Sequence, residues 1–178
     1  MCVLKIKRYI ILASFLFVVF FTFGYIHGLI SPDLLDEMVK ELSFLTEKLI
    51  SLPNWQFALV IFLNNTLKVL LSMFLGVFFG IIPFFFLVFN AYVLGVVATG
   101  VDLYIFFAAI GPHGILEIPA FLIGAGVGLY LGAKFIKNRI FRINFKEFKS
   151  VTLLIIVMLF LAALIEVYIT PSVVNLVI

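Results

Sequence analysis

The sequence predicts an all-α fold, a polytopic bundle of transmembrane helices with about five spans. Three observations predict it: the chain is 65% apolar, only 12% of its residues are charged, and its apolar residues fall into runs long enough to cross a bilayer. A soluble domain is roughly half apolar and a quarter charged, so this chain could not cover its surface in water. Composition therefore excludes a cytosolic enzyme, a disordered chain and a disulfide-rich secreted scaffold.

The length of 178 residues predicts a single membrane domain over residues 1–178. At about 20 residues per crossing, it accommodates five or six helices and no separate soluble domain. The first span is predicted over residues 9–30. It follows three basic residues, as a signal peptide would, but the run is long and offers no small-residue cleavage site, so we expect it to be retained.

A surface helix is predicted over residues 32–52, on the outer side of the membrane. Its apolar residues recur at spacings of three and four, which is typical of an amphipathic helix. They are Leu35, Met38, Val39, Leu42, Leu45 and Leu49. The segment also holds five acids against two lysines, a net charge of −3.

A basic loop over residues 134–149 sets the predicted orientation. It carries six basic residues against Glu147, a net charge of +5, and short loops rich in Lys and Arg stay in the cytoplasm. An even number of crossings must therefore separate this loop from the basic amino terminus, and a fifth crossing leaves the carboxyl terminus outside the cell membrane. The predicted spans are 9–30, 57–80, 83–101, one within 103–133, and 151–169.

The fourth segment, residues 103–133, is too long for one straight span. Gly111-Pro112-His113-Gly114 interrupts it, and Pro119 follows. Non-helical backbone at membrane depth is tolerated only where protein or a watery cavity surrounds it. We therefore predict one broken or re-entrant helix near residues 103–118: a half-helix over 103–110, an irregular loop, and a second helix from about residue 118.

A candidate functional polar cluster lies within the spans and comprises Asn64, Asn65, Lys68, His113 and Glu117. Its most unusual member is Lys68. It lies near the middle of the second span, where a charge costs about 2.5–3.5 kcal/mol on insertion scales. Asn64, Lys68 and Ser72 recur every four residues, with Asn65 beside them, so this helix face must point into the bundle.

Three acids are candidate counter-charges for Lys68: Glu117, Glu166 and Asp102. We expect Glu166 and Asp102 to lie near the outer boundary and to be solvated. Our hypothesis links Lys68 to Glu117, directly or through Asn64, Asn65 or a water molecule. Paired charges of this kind can also serve only to hold helices in register.

His113 and Glu117 lie four residues apart, a spacing that raises the question of a metal or acid–base site. Zinc sites use three or four ligands, and the sequence offers no strong third ligand apart from His27. We therefore predict no metal site, no cofactor and no catalytic residues.

A ridge of small residues follows at four-residue spacing: Ala120, Gly124, Gly128 and Gly132. Such a ridge permits close backbone approach between helices. Packing within the monomer and packing between copies in a homo-oligomer are both open alternatives.

Several of these features together resemble the stage II sporulation protein M family of multi-pass membrane proteins, over about residues 57–169. They are Asn64-Asn65, Gly76 and Gly80 followed by Pro83, Asn90 before Gly95, and above all the run from Gly111 to Ala120 with its Pro-His-Gly-x-x-Glu element. Ala91 departs from the pattern, where glycine is expected. The resemblance implies a component of a membrane complex that acts with a cell-wall hydrolase during engulfment, as a scaffold rather than as the hydrolase.

Three functions follow from the sequence. The first is a non-enzymatic scaffold or assembly component of cell-envelope machinery, with a protein partner in the membrane or at its outer face. The second is a transporter or channel with a polar site at the broken helix. The third, an intramembrane hydrolase using His113 and Glu117, ranks last because no nucleophile motif accompanies them. The basic loop does not indicate nucleic-acid binding, since topology and anionic lipid explain its charge.

Overall fold

Helices make up nearly all of the part of the chain that the computed structural model describes, residues 2–37, 40, 51–138 and 145–178. A short 3-10 turn, Leu75–Val77, follows the second of them. Within these residues there is no strand, and the predicted all-α class is confirmed. The helices are α1 (Cys2–Ile30), α2 (Asn54–Phe74), α3 (Ile81–Val97), α4 (Leu103–Asn138), α5 (Phe145–Tyr168) and α6 (Thr170–Asn175).

Among the described residues, four helical segments are long and apolar enough to cross a membrane. They are Ile6–Ile30, Asn54–Val77, Leu103–Lys137 and Phe148–Tyr168. The helix α3 is also apolar but has 17 residues, about 26 Å of helix at 1.5 Å per residue, slightly less than a typical hydrocarbon core. The protein is thus a helical membrane protein.

The helices α1 to α5 alternate in direction along the chain. Phe20 packs against Phe84, and His27 against Tyr92, so α1 and α3 run parallel. The helices α2 and α4 also run parallel. Asn65 of α2 bonds to Glu117 of α4, and later residues of α2 contact later residues of α4, the glycines of the ridge. The helix α5 runs antiparallel to α2. This is the arrangement that five successive crossings require.

The helix α4 is the centre of the bundle and contacts every other α-helix named above. Half of the residues in its most apolar stretch are buried, against 11–28% in the corresponding stretches of the other three long segments. Buried side chains from α2, α4 and α5 form the main apolar core around it. Because α4 has 36 residues, about 54 Å of helix, it extends beyond the hydrocarbon core.

The predicted break in the fourth segment is wrong, because α4 continues through it. Pro112 and Pro119 lie inside the helix, and Gly111 and Gly114 have helical backbone. An irregular loop would leave several backbone N–H and C=O groups unbonded in an apolar medium, whereas a proline removes one hydrogen bond. Neighbouring helices on several sides of α4 make this smaller cost tolerable.

The ridge of small residues packs within the chain. Ala120 is fully buried, Gly124 faces Val69 of α2, and Gly128 faces Gly76 in the 3-10 turn. Gly132 meets Gly80, which has a positive φ of 73° in the link between α2 and α3. The ridge is therefore occupied by contacts within the chain, which is the first of the two alternatives, packing within the monomer.

The predicted outer helix is described only in its first turns. Residues 32–37 are helical, and Leu35 packs at Gly100, just after α3. Most of the predicted apolar stripe, at residues 38, 39 and 41–50, lies outside the described residues, as do residues 139–144 of the basic loop.

Candidate functional site

A cavity of about 360 Å³ lies between α3 and α4. Most of its walls are apolar side chains from these two helices, with Phe17 contributed by α1. Four polar or charged side chains also line it: Lys68 from α2, Asn90 from α3, and His113 and Glu117 from α4. The cavity therefore brings together three residues of the predicted polar cluster.

Glu117 is anchored to α2 by a hydrogen bond. The side-chain Nδ2 of Asn65 donates to Glu117 Oε1 at 2.9 Å. The bond is possible because α2 and α4 run parallel and approach closely along the ridge that begins one turn further on. It holds one carboxylate oxygen and leaves the other for a further partner.

Glu117 also lies close to His113 and to Glu166 of α5. One candidate ligand atom from each of these three side chains lies within 4.8 Å of the other two. His113 is 8% exposed, and both glutamates are partly buried. His113 and Glu117 share a face of α4 because the helix is continuous and they are four residues apart. We call these three residues the His–Glu–Glu cluster.

A hydrogen-bonded chain orients the ring of His113. Its Nδ1 lies 3.3 Å from Thr170 Oγ1, and the Thr170 hydroxyl donates to the backbone carbonyl of Ile165 at 3.2 Å. The Thr170 hydroxyl is directed at the Ile165 carbonyl, so a ring proton on Nδ1 of His113 fits this chain, with the Thr170 oxygen as its acceptor. In that tautomer Nε2 carries the unshared electron pair.

Lys68 has an exposed side chain at the rim of the cavity. It is within electrostatic range of Glu117, yet among the described side chains no direct ion pair joins the two. Asn64 is exposed beside it, and its only described side-chain contact is a long one, 3.4 Å, from its Nδ2 to Asn65 Oδ1. Lys68 and Glu117 thus lie near each other at one cavity without a direct ion pair, and Asn65, three residues before Lys68, is the residue of α2 that bonds to Glu117.

Glu166 and Thr170 are two further candidate residues of this site: the sequence pattern suggested only a solvated role for Glu166 and gave no signal for Thr170. The expectation that Glu166 is a solvated boundary residue is wrong, because it is partly buried against His113 and Glu117. The available signal was that Glu166 is the sole charged residue of the span predicted over 151–169. Asp102, in contrast, is exposed as expected.

His27 lies apart from the His–Glu–Glu cluster. Its Nδ1 is 2.6 Å from the hydroxyl of Tyr92, so it joins α1 to α3 instead. The third candidate ligand beside His113 and Glu117 is therefore Glu166 rather than His27.

The residues that match known proteins include all the residues of this site. The family model described as Stage II sporulation protein M matches residues 11–171. A Methanocaldococcus jannaschii protein described as uncharacterized is 37% identical over 169 residues, which cover 86% of this chain and 90% of that protein. No solved structure matches the chain. The match runs from α1 to the start of α6, and on it the chain belongs to the stage II sporulation protein M family.

Proposed function

We propose that the protein carries a small organic anion across the membrane, with the cavity between α3 and α4 as its binding site. The observation that carries this proposal is Lys68, a charge on the rim of a largely apolar cavity, without a direct ion pair among the described residues. A lysine within a membrane span needs a counter-charge or water. A bound anion would supply that counter-charge.

The cavity indicates what kind of anion fits. Its volume of about 360 Å³ is near the lower end for small-molecule sites, and its mostly apolar walls favour a solute with an apolar body. Glu117 is turned towards Asn65, His113 and Glu166, so Lys68 is the more accessible charge. A compact carboxylate with a hydrocarbon or aromatic body matches this site.

Uptake into vesicles tests the proposal with benzoate and benzylamine, which share an aromatic body and differ in the sign of their charge. Reconstituted full-length protein should take up radiolabelled benzoate faster than protein-free vesicles, and should not take up benzylamine. Lys68→Met, which keeps the length of the side chain and removes the charge, should reduce benzoate uptake at least tenfold.

Lys149→Met is the matched control, since Lys149 is exposed on α5 and does not line the cavity. It should transport benzoate like the unmodified protein. Equal uptake by Lys68→Met and Lys149→Met, with both proteins folded by circular dichroism, would show that the cavity lysine binds no anion.

The scaffold role that the family resemblance implies is the second candidate, and the chain's membership of the stage II sporulation protein M family supports it. A scaffold needs no solute in the cavity. In a strain that lacks the native gene, Lys68→Met should then restore the wild-type phenotype, whereas reversing the acidic charges of residues 32–52 should not. An anion transporter predicts the opposite result for Lys68→Met.

A further inference from the structure

We propose that the His–Glu–Glu cluster binds one divalent transition-metal ion, with Zn²⁺ as the representative. This inference goes beyond the proposed transport, because metal binding does not depend on whether a solute crosses the membrane. It starts from the three candidate ligand atoms of His113, Glu117 and Glu166, which lie within 4.8 Å of one another inside the bundle.

The spacing of these atoms is close to that of a coordination shell. Zinc bonds of about 2.0–2.1 Å to nitrogen and oxygen put tetrahedral ligands roughly 3.3–3.5 Å apart. No two of the three atoms are more than 4.8 Å apart, so closure requires movements of about 1.5 Å or less. Rotation of the two flexible glutamate side chains covers that distance. One imidazole and two carboxylates are ligand types that zinc accepts, and a fourth position stays open for water.

The hydrogen bonding of His113 suits a metal ligand. The contact with Thr170 and its onward bond to Ile165 fit a ring proton on Nδ1, and that tautomer leaves Nε2 as a lone-pair donor. Metal-binding histidines are held in this way, by a hydrogen bond from the ring nitrogen that does not bind the metal. Asn65 holds Glu117 in a similar manner through Oε1.

The charges of the cluster also favour a divalent ion. Glu117 and Glu166 bring two carboxylates into a low-dielectric bundle, and an unpaired buried charge is strongly destabilising. Lys68 can offset one negative charge at most, and it does so without direct contact. A divalent cation would balance both carboxylates and would leave the charge of Lys68 available at the cavity.

Metal titration of the purified full-length protein tests this inference. The protein is stripped with a chelator in detergent micelles and titrated with Zn²⁺ by calorimetry, and with Co²⁺ by visible absorption. We expect one ion per chain. Glu166→Gln should weaken binding at least tenfold. Asp102→Asn, the same chemical change at an exposed acid outside the cluster, should leave the affinity unchanged.

Two results would overturn the proposal. One is that the unmodified chain binds no stoichiometric Zn²⁺; the other is that Glu166→Gln binds it as tightly as Asp102→Asn. X-ray absorption of the Co²⁺-loaded unmodified protein tests the ligands directly, and it does not require any variant to fold. It should show imidazole nitrogen with carboxylate oxygens, and a shell without imidazole would also contradict the site.

The same preparation separates this inference from the transport proposal. Lys68→Met should bind Zn²⁺ normally, because Lys68 is not a ligand. Benzoate uptake without metal binding would overturn only the metal site. Metal binding without benzoate uptake would overturn only the transport.

Discussion

Two adjacent asparagines show how differently single residues of one type are used in this protein. Asn65 is partly buried and donates to Glu117 across the α2–α4 contact, whereas Asn64 is exposed. The four-residue spacing predicted that Asn64, on the face of Lys68 and Ser72, points into the bundle, and this is wrong because Asn64 is exposed. Helical spacing gives their relative angle, but only the packing of α2 against α4 decides which of them points inwards.

Asn65→Ala should destabilise the protein by about 1–2 kcal/mol, since it removes a bond to a partly buried carboxylate. Asn64→Ala should change stability by less than about 0.5 kcal/mol, because the side chain is exposed. Unfolding by dodecyl sulfate in mixed micelles measures both variants. A loss of the same size in each would mean that the bond to Glu117 contributes nothing of its own.

Glycines along α4 show the same contrast at the scale of an element. Gly128 lies in the close contact between α4 and α2, where an added Cβ would come within 2.6 Å of the carbonyl oxygen of Ser72. Gly111 belongs to the same helix, and a Cβ there would have no neighbour within 4 Å outside its own helical backbone. The sequence identifies both as glycines of an apolar helix, and the partner helix distinguishes them.

Gly128→Ala should lower stability by about 3 kcal/mol or prevent folding, because overpacking against backbone has little room to relax. Gly111→Ala should be neutral or stabilise α4 by up to about 1 kcal/mol, through higher helix propensity. Thermal unfolding followed by circular dichroism compares the two. If Gly128→Ala were as stable as Gly111→Ala, the close packing of α4 on α2 would be refuted.

For the whole molecule, the number of membrane crossings depends on whether the short helix α3 spans the bilayer. With 17 residues it is barely long enough to cross a bilayer, yet it runs parallel to α1 and packs closely along it. If α3 crosses, the chain has an odd number of crossings, and its two termini lie on opposite sides of the membrane.

Cysteine labelling in a Cys2→Ser background tests this orientation. A membrane-impermeant maleimide should label Val177→Cys in intact cells, and should label Lys137→Cys, at the predicted inner end of α4, only after permeabilisation. The reversed pattern would contradict the orientation predicted from the basic loop.

The sequence by itself determined the solvent of this protein, the positions of its apolar helices and the small set of polar residues inside them. These are local properties: hydropathy is read from consecutive residues, and the bilayer demands that each crossing segment satisfy its own backbone. The tertiary structure decided what is not local. It kept α4 continuous through Pro112 because neighbouring helices surround it, and it brought Glu166 of α5 to His113 and Glu117 of α4. That meeting depends on how these two helices pack against each other, which no spacing along the chain encodes.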